Sequence, residues 1–516
     1  MAEQVLRPGF ALPRAASAPR TRSSFVENLI ITIIAVLVTT ALFVALAPGC
    51  RHPFVLPLSA CGVIVGIDVV RWVRGQLDTF DPKALISMLM LHSTYFAPLL
   101  HQAWEAYTKD WAAQITDGYP SYFATYGWVS LMGVCAYQLF QRFAFRRARP
   151  SPTQWIIDDG RFGSALALAI GVSMVAAVVV ITKFGGLRRE EHQQLLALGS
   201  GLQHLSWLLM LSDPLPILLS MAGVRMLTDP RRQKSMFTVI LLIVGMAALA
   251  FAFLGLRGSR SAFMYLLVIV AGMAHYRIRR ITVPWALGGG LILIVFVYYY
   301  GFFKRLGAMG ADAVGSTVAA IGSAEQRRYL EQRTGNTMAT TLLGDMSRAE
   351  MQTFMLYRLD AHGDRYEYRW GRTYLRSAIM IIPRAIWYEK GPGKNEAGTD
   401  LQYGQGISLD PKRLSTRVYG LAGEAILNFG LLGVPLAFAA YGAVLGWYRR
   451  KVASWRFGDA RYFLAPLFMI IAMAAYIGDS DNVMYSLLKN GTIPIAVVVL
   501  SVNRARLAPA AAPVRA

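Results

Sequence analysis

The chain has 516 residues, of which 55% are hydrophobic and only 16% charged, with a mean hydropathy of +0.40. Soluble domains carry roughly 25% charged residues, so this composition excludes an ordinary soluble enzyme, a disordered chain and a fibrous repeat, and points to one large bundle of membrane helices. The charge is lopsided, with 52 Lys+Arg against 30 Asp+Glu for a net +22. In a soluble protein that excess would suggest nucleic acid, whereas in a membrane protein basic cytoplasmic loops produce the same excess.

A spanning helix needs about 20 mostly apolar residues. Twelve stretches qualify: 29–47, 54–70, 84–100, 121–141, 163–182, 199–222, 236–256, 261–276, 282–303, 421–447, 462–477 and 483–502. The first ends in Ala47-Pro48-Gly49-Cys50, but it is longer than a signal-peptide core of about 7–15 residues and is read as an uncleaved span. With the N-terminal tail placed in the cytoplasm, the two tails and the even-numbered connections hold 27 basic residues, among them Arg7, Arg74, Lys83, Arg146, Arg231, Arg277 and Arg449. The short odd-numbered connections hold 7. That alternation is the positive-inside pattern. It predicts an all-α polytopic membrane protein of about twelve transmembrane helices with both termini inside. The divisions are a flexible basic tail over 1–28, spans one to nine over 29–303, an external loop over 304–420, spans ten to twelve over 421–502, and a tail over 503–516.

The external loop is unusual. Connections longer than about 15 residues are commonly functional or disordered, and this one has amphipathic helical stretches at 350–358 and 373–387. It carries 17 basic residues against 12 acidic ones. Long loops escape the positive-inside rule, so its basicity invites an anionic ligand. Arginine presents a planar fork of donors suited to phosphate oxygens. Arg257, Arg260, Arg365, Arg369, Arg372, Arg376, Arg384 and Lys390 form a candidate anion set, with Arg417 before the tenth span. Arg260 lies in the short turn Gly258-Ser259-Arg260-Ser261 between two apolar stretches, which pins its charge at headgroup depth, where charge is costly and often functional.

Glu424, at the external end of the tenth span, reads as a partner of the helix N-terminus, an anchor for arginine or a general base. Asp213-Pro214, with Pro216, interrupts the sixth span, which reads as a discontinuous helix of the kind that forms transporter sites, as a simple proline kink, or as the true end of the span. Asp68, His92 and His101 read as packed, hydrogen-bonded polar groups. Asp479-Ser480-Asp481 has the spacing of a metal–diphosphate motif. Cys50, Cys61 and Cys135 have no metal-ligand spacing. Walker A, Gly-x-Gly-x-x-Gly, zincin and Gly-x-Ser-x-Gly motifs are absent from the sequence, so nothing indicates ATP use, and an external reaction would need a pre-activated substrate.

Gly371-Arg372-Thr373-Tyr374, Ile382-Pro383-Arg384-Ala385-Ile386-Trp387 and Lys390 resemble the second half of bacterial O-antigen (oligosaccharide repeat-unit) polymerases. So do Gly423-Glu424, Asn428-Phe429-Gly430, Gly433, the Gly258-Ser259-Arg260 turn and Phe184-Gly185-Gly186. The resemblance covers roughly residues 160–500. It implies a multi-pass inner-membrane glycosyltransferase that moves a growing glycan from undecaprenyl pyrophosphate onto a lipid-linked repeat unit at the periplasmic face, with no metal, nucleotide or other cofactor expected. Membrane lipids, a flippase and a chain-length regulator would be its partners, and nucleic acid would not. Some relatives carry Arg–ten residues–Gly loops; Arg188…Gly199 and Arg333…Gly344 have that spacing, at the frequency expected by chance. In this reading Arg260 and Arg384 neutralise pyrophosphate with Arg257, Arg372, Arg376, Lys390 and Arg417. Glu424 is the base, with Asp400 or Asp410 as alternatives. Trp370, Tyr374, Trp387 and Tyr388 grip sugar rings or belong to an interfacial belt. An O-antigen ligase is the nearest rival, and a lipid-linked oligosaccharide flippase or transporter the rival from another class. The products compatible with the reading are O-antigen, capsule and exopolysaccharide.

Overall fold

A computed structural model describes residues 22–115, 118–145, 150–184, 203–228, 235–255, 260–306, 311–362, 365–382, 387, 391, 393–410, 413–456 and 458–506. The chain opens with α1 (Ser24–Leu46), an apolar helix whose Ile34, Leu37 and Val38 are more than half exposed. Outward aliphatic faces of this kind recur throughout the bundle and are suited to lipid rather than water. Next come α2 (Val55–Val73) and α3 (Pro82–Trp104). The latter is started by Pro82 and by the Asp81 carboxylate, which accepts the Lys83 N–H at 2.8 Å. Then follow α4 (Tyr119–Ala144), the short strand β1 (Thr153–Ile157), α5 (Asp159–Thr182) and α6 (Leu208–Leu227), which breaks at Asp213-Pro214. α7 (Met236–Phe253), α8 (Arg260–Arg277) and α9 (Val283–Arg305) complete the first part of the bundle.

The 304–420 stretch folds onto the bundle rather than standing apart. α10 (Ala311–Gly322) and α11 (Ala324–Thr334) turn back on α9, where Leu330 packs with Tyr298 and Phe302. α12 (Ala349–His362) lies against α4, burying Phe354 and Met355, and Trp111 stacks on Phe354 at 5.0 Å. α13 (Arg372–Ala378) and α14 (Lys394–Tyr403) follow, then α15 (Gly420–Phe429), α16 (Gly433–Ser454), α17 (Ala465–Ile477), α18 (Ser480–Leu500) and β2 (Val502–Arg506).

Two apolar cores hold this together, one among α1–α4, α12 and α14–α16, the other among α5–α8, α17 and α18. The closest helix pair is α4 with α16. A Cβ at Gly442 would sit 2.5 Å from the Tyr137 carbonyl oxygen, and one at Gly446 would sit 2.5 Å from that of Gln141. These two glycines, four apart, let the backbones touch as small residues do in membrane helix pairs.

Among the described residues eight helices are long and apolar enough to cross a membrane: α1, α2, α3, α5, α6, α7, α9 and α18. Helices occupy all twelve stretches expected from the sequence, but α4, α8 and α16 carry more polar residues and α17 has only 13. The expected tenth span, 421–447, is two helices. Gly430, at φ +67, ends α15 after 10 residues, about 15 Å of helix and too short to span. An antiparallel β1–β2 pair, with Trp155 opposite Arg504, was not legible as strand and adds a small sheet to an otherwise helical chain.

Several basic residues set aside as orienting charges are buried with partners. Lys83 meets Asp68 at 2.8 Å, Arg449 chelates Asp81 at 2.5 and 2.6 Å, and Arg277 donates to the Gly458 carbonyl at 2.8 Å. His101 Nδ1 and His92 Nε2 are hydrogen-bonded to the carbonyls of Ala106 and Leu342, as packed histidines would be.

Candidate active site

Four short segments from distant parts of the sequence converge where the 304–420 stretch meets the bundle. α15 supplies Glu424 and, one turn on, Asn428. An i, i+4 pair shares a helix face, and both side chains are buried. α13 supplies Thr373 and Ser377, again four apart. The start of α18 supplies Ser480 after Asp479, and α14 supplies Lys394.

The Glu424 carboxylate is enclosed by donors. Its Oε1 accepts the Thr373 hydroxyl at 2.8 Å and the Ser480 hydroxyl at 2.6 Å, and its Oε2 accepts the Ser480 N–H at 2.6 Å. Asn428 Nδ2 donates to Thr373 Oγ1 at 2.7 Å and to the Glu424 carbonyl at 2.8 Å, fixing the threonine rotamer. Ser377 Oγ lies 2.7 Å from Ser480 Oγ, so a chain of hydroxyls leads from the carboxylate to α13. Burial, reinforced by the charge of nearby Asp479, pushes the Glu424 carboxyl up to about 7, against the opposing pull of the Ser480 and Thr373 hydrogen bonds. Such a group exchanges protons near neutral pH, where an acid–base residue is most effective.

Beside it, Asp479 accepts the N–H groups of Tyr419 at 2.9 Å and Gly420 at 2.8 Å and is ion-paired to Lys394. Lys394 also reaches Asp481 at 3.3 Å. Its ammonium therefore occupies the position between two carboxylates that a metal–diphosphate motif would give to a cation. Burial alone would lower Lys394, but the two aspartates outweigh it and hold the ammonium above the usual lysine range. Gly398 permits this packing, because a Cβ there would collide with the Tyr419 hydroxyl.

An irregular segment, 366–371, packs against α15. Arg369 N–H donates to the Leu427 carbonyl at 3.2 Å, Trp370 N–H to that of Asn428 at 3.0 Å, and Gly371 N–H to Asn428 Oδ1 at 2.9 Å. Trp370 is held at φ +47 with its side chain 73% exposed. For a bulky residue that backbone costs roughly 1–3 kcal/mol, and such strain clusters at ligand sites. Its ring stands edge-on to Phe429, on which Tyr374 also stacks.

Of the residues singled out from the sequence, Glu424, Asp479, Trp370, Arg372, Tyr374 and Arg376 belong to this assembly. Arg372 is exposed on α13, while Arg376 donates to the Gly391 carbonyl and lies 3.9 Å from Glu396. Arg260 lies near enough to Tyr300 of α9 for its charge to act on that hydroxyl. Arg417 lies over the Trp111 ring at 5.0 Å, on the α4–α12 side. Asp400 is ion-paired with Arg369, and exposed Asp410 meets Arg413 at 3.3 Å, so neither is poised as a base. Trp387 is exposed. Arg257, Arg384, Tyr388 and Lys390 lie outside the described residues. Sequence reasoning missed Thr373, Ser377, Asn428, Lys394 and Ser480 as site residues. The Glu424/Asn428 spacing was a usable signal, whereas the meeting of α13 with α18 was not.

Comparison with family models, with curated proteins and with solved structures gives no match. The geometry defines a helical membrane protein with a buried carboxylate, Glu424, held by hydroxyl and amide donors beside the Asp479–Lys394 ion pair.

Proposed function

We propose that the chain is a polysaccharide polymerase that transfers a growing glycan from undecaprenyl pyrophosphate to a lipid-linked oligosaccharide repeat unit. It would do so at the periplasmic face of a bacterial inner membrane, through twelve spans with both termini inside. The observation that carries the reading is Glu424, a buried carboxyl hydrogen-bonded through the Ser480 hydroxyl to Ser377 and pushed up to about 7 by burial and by Asp479. In the reaction an acceptor hydroxyl loses its proton to Glu424, directly or through Ser480, as its oxygen attacks the anomeric carbon. The anomeric C–O bond to phosphate breaks, and pyrophosphate leaves with the electron pair. Arg372 and Arg376, on the helix that also carries Thr373, meet the charge growing on the leaving oxygens. Exposed Trp370 offers a face for a sugar ring.

A second reading has one observation in its favour. Asp213, at the break in α6, pairs at 2.5 Å with Lys489, in a π-helical turn of α18. A charge pair between two interrupted helices also suits a lipid-linked glycan flippase. Deletion of the gene, followed by gel separation of surface glycan, separates the readings. A polymerase null leaves single repeat units on the final acceptor, a ligase null leaves no glycan attached, and a flippase null traps lipid-linked oligosaccharide on the cytoplasmic leaflet. Complementation with Glu424→Gln restores no long chains if the carboxylate is the base.

A further inference from the structure

Beside Tyr366, at the start of the 366–371 segment, lies a recess of about 390 Å³, lined by Arg358, Arg365, Tyr366, Asp400, Tyr403 and Gln405. That volume is within the range of small-molecule sites. The recess and the Glu424 network share a wall: the Tyr366 hydroxyl donates to the Leu427 carbonyl at 3.0 Å, one turn of α15 from Glu424. One turn is about 5 Å, close to the length of a single sugar unit.

The charge of the recess is one-sided. Its one carboxylate, Asp400, is satisfied: Arg369 pairs with it, and Oδ1 accepts the N–H groups of Gly406 and Ser408, each at 3.1 Å. Among the described residues, neither Arg358 nor Arg365 forms an ion pair with a carboxylate, and Arg358 has only a long 3.5 Å contact to the Leu401 carbonyl. The buried Nε of Arg369 also lacks a hydrogen-bond partner. Guanidinium groups so placed have donors to spare, and a carboxylate or phosphate matches their fork. Tyr403, 46% exposed, and the ring of buried Tyr366 give the same recess apolar surface for a sugar face.

We propose that this recess is an acidic-sugar subsite, which binds a uronic acid residue of the glycan through Arg358 and Arg365 and against Tyr403. The proposal rests on the polymerase reading and names a substrate class for it: a repeat unit bearing a carboxylated sugar. The same anion chemistry is offered by the diphosphate of the lipid carrier, and the test separates the two.

Purified full-length protein in nanodiscs is titrated with a glucuronic acid-terminated disaccharide, with its neutral glucose counterpart and with inorganic pyrophosphate. The expected result is at least tenfold tighter binding of the acidic disaccharide than of the neutral one. Arg365→Ala, at an exposed position, and Arg358→Ala should each weaken it about tenfold, and pyrophosphate should not compete. Arg358→Lys, which keeps the charge, should retain part of the affinity and shows that the site still folds. Equal binding of both disaccharides, unchanged affinity in both alanine variants, or displacement by equimolar pyrophosphate would overturn the subsite. Glu424→Gln should bind the acidic disaccharide normally. Binding by wild-type protein that elongates no glycan when supplied with lipid-linked repeat units would refute the polymerase reading while leaving the subsite standing.

Discussion

Replacing Glu424 by glutamine should make the protein more stable in alkali while removing its activity. Burial and Asp479 raise the carboxyl from 4.5 to about 7, so ionising it in the folded state is unfavourable. A tenfold change in proton affinity corresponds to about 1.4 kcal/mol, which makes the full cost about 3 kcal/mol. Because the folded value lies above the unfolded one, the cost is absent below about pH 4.5. It grows as the unfolded chain ionises and is complete above about pH 7. Glutamine is nearly isosteric and carries no charge. It can keep an acceptor on the Ser480 N–H and turn its amide toward the hydroxyls of Thr373 and Ser480, at a loss of about 1 kcal/mol from imperfect bonding. The net gain at about pH 8.5 is then about 2 kcal/mol, whereas at about pH 4.5 the variant is about 1 kcal/mol less stable than wild type. Thermal denaturation in detergent at the two pH values reads this directly. A Glu424→Gln protein that melts lower than wild type in the alkaline sample would refute the reasoning, because it would mean that the ionised carboxylate is a structural anchor.

Other residues carry distinct expectations. Glycan elongation by wild-type protein should rise with pH through about 7, as the base limb titrates, and a rate that stays flat across neutral pH would contradict the assignment of Glu424. Lys394→Met leaves Asp479 buried without its counter-charge and should cost about 3–5 kcal/mol, whereas the double variant Lys394→Met/Asp479→Asn should recover much of it; equal melting of the single and double variants would show that the pair is not coupled. Trp370→Gly relieves the left-handed backbone and should raise stability by about 1 kcal/mol while lowering affinity for the glycan, a split that differential scanning fluorimetry and a binding titration resolve. Gly442→Leu should separate α16 from α4 and abolish folded protein on size-exclusion chromatography, since the Tyr137 carbonyl leaves no space for a side chain.

How much of this was legible beforehand depends on the range of the interaction. The apolar stretches marked every long helix, because burial in lipid is written residue by residue. Glu424 also stood out, as a lone carboxylate in an apolar sequence. What was hidden is long-range. Ser480 lies 56 positions from Glu424 and Lys394 lies 85 from Asp479, and no local pattern announces such pairings. Asp479-Ser480-Asp481 was visible as a motif, but its occupant, the Lys394 ammonium, was not. Arg449 and Lys83 looked like solvated cytoplasmic charges because the positive-inside rule counts residues without seeing Asp81 and Asp68 beside them. Arg260 was attractive for its depth, but no local pattern placed its charge near Tyr300 on the neighbouring α9. Gly430 ended a helix that hydropathy alone ran straight through.

The most direct test is elongation by the purified protein supplied with lipid-linked repeat units, resolved by length on a gel. Wild-type protein should yield a ladder of polymers and release undecaprenyl pyrophosphate, and Glu424→Gln should leave only single units. A wild-type reaction that returns the substrate unchanged, or a Glu424→Gln reaction that builds the same ladder at the same rate, would contradict the account.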